Sequence, residues 1–120
     1  MSVLDDIKRK YEKTETVSDS YGRIIIVRRL SPSQQITIRE WADSTEDTVI
    51  GMLSFAASVV SIDGLAFGFP KDRKELNTTV DALDDAGLQA IGEAYTRFAE
   101  QEKASLDAAK NSPATGPSDT

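Results

Sequence analysis

Asp63 and Gly64 stand between Ile62 and Leu65 in the stretch VVSIDGLAFGFP, residues 59–70. A type I′ turn needs positive φ at both central residues, and Asp-Gly is one of the few pairs that supply it. The pair predicts a tight hairpin, with Ile62 leading in and Leu65 leading out. Two short strands joined this way are marginal in water, so the hairpin requires a third strand or a helix to pack on. The third strand is GRIIIVRRL, residues 22–30. Ile24 and Ile26 fall on one face of it, Ile25 and Val27 on the other. A strand apolar on both faces calls for cover on both, from its own helices or from a neighbouring subunit. Phe67 and Phe69, with Gly68 between them, alternate as in a strand and are expected on one side.

The remaining segments read as helices. Ser2 is placed to cap a first helix, with Asp5 and Asp6 near its positive end. Val3, Leu4, Ile7 and Tyr11 then form one stripe, which either docks a partner or packs on the chain's own core, the commoner arrangement. Residues 14–20 read as a polar connector. Ser31, Pro32 and Gln34 carry the signature of a capping box with proline in the first turn. That local chemistry decides for a helix over the strand preference of Ile36, Thr37 and Ile38. Trp41 within it reads as a core anchor.

A central helix is expected from a cap at Ser44 or Thr45 to about Val60, with Val49, Met52, Leu53 and Ala56 on one face. Gly51, Ser54, Ala57 and Ser58 are small and allow a close neighbour. Asp72 and Glu75 open another helix, whose face is Leu76, Val80 and Leu83. Asp84 or Asp85 caps the last helix, with the stripe Leu88, Ile91, Tyr95, Phe98 and Leu106. Gly92 inside it lowers helix stability by roughly 1 kcal/mol relative to alanine and marks a close contact. The expected fold class is α+β, predominantly helical, with a small antiparallel sheet that includes one hairpin. Residues 1–107 form a single globular domain. Residues 108–120 hold two prolines, a glycine and no large apolar side chain, and are expected to be a disordered tail.

Charge and missing residue types exclude much chemistry. The net charge of -6 disfavours non-specific nucleic-acid binding, although Arg23, Arg28 and Arg29 form a local basic set. The chain has no cysteine and no histidine. Disulfides, thiolate metal sites, cysteine nucleophiles and imidazole bases are therefore excluded. No oxygen-only calcium loop is visible. Asp5 and Asp6 lie where a secretory leader would be basic and then apolar, so none is expected. Residues 49–62 are too short and too interrupted to span a membrane. Asp81, Asp84 and Asp85 read as helix-boundary caps and solvated charge rather than a general acid–base pair. Asp63 reads as a turn residue, GLAFGFP lacks the spacing of a phosphate loop, and the basic run KRK reads as the solvated face of the first helix. No catalytic, cofactor-binding or metal-ligating set is expected, and hence no cofactor and no enzyme activity.

One resemblance goes further. An apolar helix running into AASVVSIDG, then LAFGFP, then the acidic-capped VDALDDAGLQAIGEAY, with RIIIVRRL upstream, resembles the small tail assembly chaperones of long-tailed bacteriophages and prophages. The resemblance implies a non-enzymatic protein of the bacterial cytoplasm, absent from the mature virion. It implies that the protein keeps the tape-measure protein soluble and helps recruit tail-tube subunits, and that a longer frameshifted product exists in many members. The candidate partner-binding residues are Val3, Leu4, Ile7 and Tyr11 on the first helix and Leu65, Phe67 and Phe69 on the hairpin edge. These are the apolar side chains least committed to one small core. Nucleic acid and membrane are not expected as partners, and a homo-oligomer is left open. The same features suit a structural head–tail connector or minor tail subunit, or an acidic adaptor protein.

Overall fold

A computed structural model describes residues 2–111. Along the chain run α1 (Val3–Glu12), β1 (Thr14–Ser18), β2 (Ile24–Arg28), α2 (Pro32–Ala42), α3 (Asp47–Ala57), β3 (Val59–Ile62), β4 (Leu65–Ala66) and α4 (Arg73–Asn111). The fold is α+β and predominantly helical, with one four-stranded antiparallel sheet in the order β1-β2-β3-β4.

The Asp-Gly turn is built as the sequence predicts. Asp63 has φ 48° and Gly64 has φ 81°. Asp63 also fastens the turn to β2. Its N–H donates to the Ile24 carbonyl at 2.8 Å, and its Oδ1 accepts the Ile24 N–H at 2.7 Å. Gly64→Val is expected to cost about 1–3 kcal/mol, because a β-branched residue is strained at positive φ. Urea unfolding checks this, and an unchanged midpoint would show that the turn does not need the glycine.

Two expectations near the hairpin are corrected. The central helix stops at Ala57 rather than near Val60. Val59 and Val60 are β-branched and enter β3, which pairs with β2 across a register shift between Ile26 and Val27. The second hairpin strand is only two residues long. The Phe67 N–H still donates to the Val60 carbonyl at 2.8 Å, but the chain then leaves the sheet. Phe67 and Phe69 turn inward onto the core, and Phe69 stacks on Trp41 with ring centroids 5.8 Å apart. Burying two rings outweighs extending a marginal ladder.

A third correction is β1, which occupies most of the expected connector. Val17 and Glu15 point to the inner face, opposite Ile25 and Val27 of β2. The core fills the space between that face and the helices. Ile25, Val27, Ile38, Leu76, Leu83 and Ile91 are buried in it. Helices α3 and α4 pack closely, and a Cβ added at Gly92 would stand 3.4 Å from the Phe55 ring.

The helix ends follow local chemistry. Ser31 and Gln34 form the capping box, with Pro32 in the first turn. At α3 the cap is Glu46, with no side-chain bond, while Ser44 Oγ accepts the Glu46 N–H at 3.1 Å. At α4 Asp72 Oδ1 accepts the Glu75 N–H at 2.8 Å. Helix α4 breaks at Asp84, where φ is 61° and ψ 179°. Helical structure continues to Asn111, past the Ala108 boundary expected for the tail. Residues 112–120 of that tail lie outside the described residues.

Candidate functional site

The predicted partner-binding residues fall into two groups that the fold keeps apart. Helix α1 is ten residues long and has no buried residue. Isolated helices of that length are marginal in water, so its apolar face needs cover that the described residues supply only in part. Val3 and Leu4 are each 74% exposed and Ile7 is 48% exposed. Tyr11, one turn further on, is half-buried and lines a cavity of about 380 Å³ with Leu30, Ser54, Tyr95 and Phe98. The stripe therefore begins against the body at Tyr11 and runs off it toward Val3.

The hairpin group lies elsewhere. Leu65 is 67% exposed on β4, at the sheet edge opposite β1. Phe67 and Phe69 are half-buried and line a smaller cavity, which shares Leu30 with the one at Tyr11. They do not form an exposed aromatic edge. Only Leu65 of that group is open to a partner.

Electrostatics hold α1 in place. Glu102, near the end of α4, accepts hydrogen bonds from Lys10 at 3.0 Å and from Arg29 at 2.5 Å. Those two bonds, with the positive charges behind them, hold the Glu102 carboxyl below the usual carboxylate range. A cleft of about 1050 Å³ opens on the other side of this contact, lined by Arg9, Lys13, Glu15, Phe98 and Leu106 among others. Leu106, expected on the core stripe of the last helix, is 63% exposed at the mouth of that cleft.

Among the described residues, one buried side-chain polar atom lacks a hydrogen-bond partner. Tyr95 Oη is buried among Phe55, Ser58 and Phe98, without an acceptor in hydrogen-bonding geometry. Ser58 Oγ beside it donates to the Phe55 carbonyl at 2.6 Å. Burial pushes the phenol above its ordinary range. Tyr95→Phe removes a polar group that nothing satisfies, and is expected to leave stability unchanged or raise it by up to about 1 kcal/mol. Thermal unfolding checks this, and a clear loss would reveal a hydrogen bond to Ser58.

Among the described residues, no group of acidic side chains could hold a metal ion. No described helix is long and apolar enough to cross a membrane. Asp81, Asp84 and Asp85 are all exposed and sit at the helix break. No family model, curated protein or solved structure matches the chain.

Sequence reasoning missed part of the open surface. Tyr21 is exposed on the turn between β1 and β2. Ile24 and Ile26 form an outer sheet face that the described residues only half cover. The signal for that face was present in the two-sided apolar pattern of the strand. What was missing was any sign of which side the helices take.

Proposed function

We propose that the chain is a tail assembly chaperone of a long-tailed phage or prophage, acting in the bacterial cytoplasm and holding the tape-measure protein soluble while tail-tube subunits are recruited. The resemblance of the segment from the central helix to the last helix motivates this reading. The observation that carries it is α1, whose apolar face is uncovered. A long helical client is recognised by burying such a face against its own, the helix-in-groove mode. Val3, Leu4 and Ile7 are the first contacts in this reading, with Leu65 as a separate site. Phe67 and Phe69 serve the core instead. An excess of acidic residues keeps a chaperone–client complex dispersed by repulsion between copies.

Co-expression with the tape-measure protein of the same phage tests this. Solubilisation and co-purification of the long protein are expected, together with their loss in a Leu4→Asp, Ile7→Asp double variant. If the long protein stays insoluble and the small chain is found in mature particles, the chain is a structural subunit instead. A longer product made by frameshifting belongs to the same reading. Mass spectrometry of protein expressed from the native message checks for it.

A further inference from the structure

Burial of α1 is confined to its last turn. Residues 3–9 are all exposed, whereas Lys10 and Tyr11 are half-buried. Lys10 Nζ lies 3.0 Å from Glu102 Oε1 on α4. Lys10 and Tyr11 also line the cavity of about 380 Å³ whose other walls include Leu30, Ser54, Tyr95 and Phe98.

A pivot lies directly behind that turn. Lys13 ends α1 with extended backbone, φ -65° and ψ 137°, and is exposed. Thr14, the next residue, is fixed in the sheet opposite Arg28. Rotation at Lys13 swings a rod about 15 Å long and leaves β1 in its register.

The charges let α1 leave without stranding an ion. Glu102 also accepts from Arg29 Nη2 at 2.5 Å, and Arg29 lies over the Phe98 ring, 5.5 Å from its centre. Arg29 and Phe98 belong to the body, Lys10 and Tyr11 to α1. When α1 departs, Lys10 passes into water and Glu102 keeps its second cation. Partly exposed ion pairs contribute modestly, because solvent screens them. Opening also admits water to a cavity wall that holds Tyr95, whose Oη lacks a partner among the described residues. Local opening requires little free energy where buried apolar contacts are few, and α1 has no buried residue.

We propose that α1 is a hinged strap, latched to Glu102 over the cavity and released about Lys13 while the rest of the fold stays intact. Docked, α1 offers Val3, Leu4 and Ile7, and Tyr11 is taken by the cavity. Released, it offers the whole stripe, and Leu30, Tyr95 and Phe98 lose a cover. One ion pair thus controls two apolar surfaces at once. A ten-residue helix is marginal alone, so the released strap also loses helical structure. The strap does not rest on the tail-assembly reading. Under that reading release regulates access by the client, but the isolated chain opens with or without one.

Residue-resolved hydrogen exchange on the full chain, with no client present, tests this. The amides of residues 7–11 are expected to exchange faster than those of α3 yet slower than in an unfolded chain, at rates independent of protein concentration. Lys10→Gln keeps the helix propensity and removes the α1 side of the latch. Glu102→Gln removes the α4 side. Each is expected to speed exchange in α1 by about twofold to fivefold, the range for a partly exposed ion pair, and to leave α3 unchanged. The double variant is expected to do no more than either single one. Tyr11→Ala is expected to speed α1 exchange by about tenfold or more, since it removes the ring that enters the cavity. The chain has no cysteine, so Ser54→Cys places a single thiol in the cavity wall. Adding Lys10→Gln to it is expected to speed thiol labelling by the same factor as α1 exchange. Amides of α1 as protected as those of α3 overturn the proposal. So do unprotected α1 amides in the parent, additive effects of the two latch variants, or labelling that does not respond to Lys10→Gln.

Discussion

Replacing Arg23 with alanine is expected to remove about 3–5 kcal/mol of stability, the range for breaking a buried ion pair from one side. Arg23 joins three parts of the chain. Its Nε donates to Asp19 Oδ2 at 2.7 Å. Its two terminal nitrogens donate to the carbonyls of Ala82 at 2.7 Å and Leu83 at 2.6 Å. Those carbonyls precede the break at Asp84, where α4 supplies them no regular helical partner. The Asp19 side chain has no solvent exposure, so alanine at position 23 leaves a buried carboxylate without its counter-charge, held only by the N–H groups of residues 21 and 23, and leaves two carbonyls without their donor. Against a typical total of roughly 5–15 kcal/mol, that is a large fraction. Arg23→Lys should recover only part of the loss, because an ammonium cannot reproduce the planar fork. Asp19→Asn added to Arg23→Ala should recover part by removing the stranded charge. Urea unfolding of the set checks this, and equal midpoints for parent and Arg23→Ala would show that solvent replaces the fork.

The same contact makes stability depend on acid. Burial alone would raise the Asp19 carboxyl, but the Arg23 N–H and guanidinium, with the Tyr21 N–H, outweigh it and hold it below its ordinary 3.8. A carboxylate depressed on folding contributes stability that is present above its unfolded value. That contribution is lost as pH falls below 3.8 and through the folded value. Arg23→Ala removes the guanidinium's share of the depression and leaves the two backbone N–H donors in place. The gap between parent and variant should therefore be widest near neutrality and narrow in acid.

The parts of the fold that were legible are those with local chemistry. Asp63-Gly64 announced the turn because few pairs tolerate two positive φ values. Ser31 with Gln34 announced the start of α2 against the β-branched residues behind it. The parts that were not legible depend on partners distant in the chain. Strand β1 has one apolar side chain, Val17, so its alternation leaves no hydrophobic period to read. Val59 and Val60 continue the helical spacing of α3, and only pairing with β2 makes them a strand. Three aspartates at 81, 84 and 85 marked a helix boundary without saying that the chain breaks at Asp84 and that Arg23 closes the break. The exposure of the candidate residues was half legible. The α1 stripe was read correctly as a stripe, but whether the chain covers it is a tertiary fact. Phe67 and Phe69 looked available because the sequence does not show Trp41 waiting for one of them.

The consecutive isoleucines of β2 give the sharpest contrast between sequence pattern and tertiary environment. Ile24 and Ile25 are chemically identical neighbours on opposite faces of one strand. Ile25 has no exposed surface and pairs with Val17 and Ile62, whereas Ile24 is 47% exposed on the outer face. Ile25→Ala is expected to cost about 2–5 kcal/mol, the transfer of the side chain plus the cavity left in the core. Ile24→Ala is expected to cost less than about 1 kcal/mol, because little apolar area is lost and solvent fills the space. The two variants should share the parent's urea dependence and differ in midpoint. A comparable loss at both positions would mean that the outer face is covered in solution. The two-sided apolar pattern would then be explained by a partner lying on the outer face of the sheet.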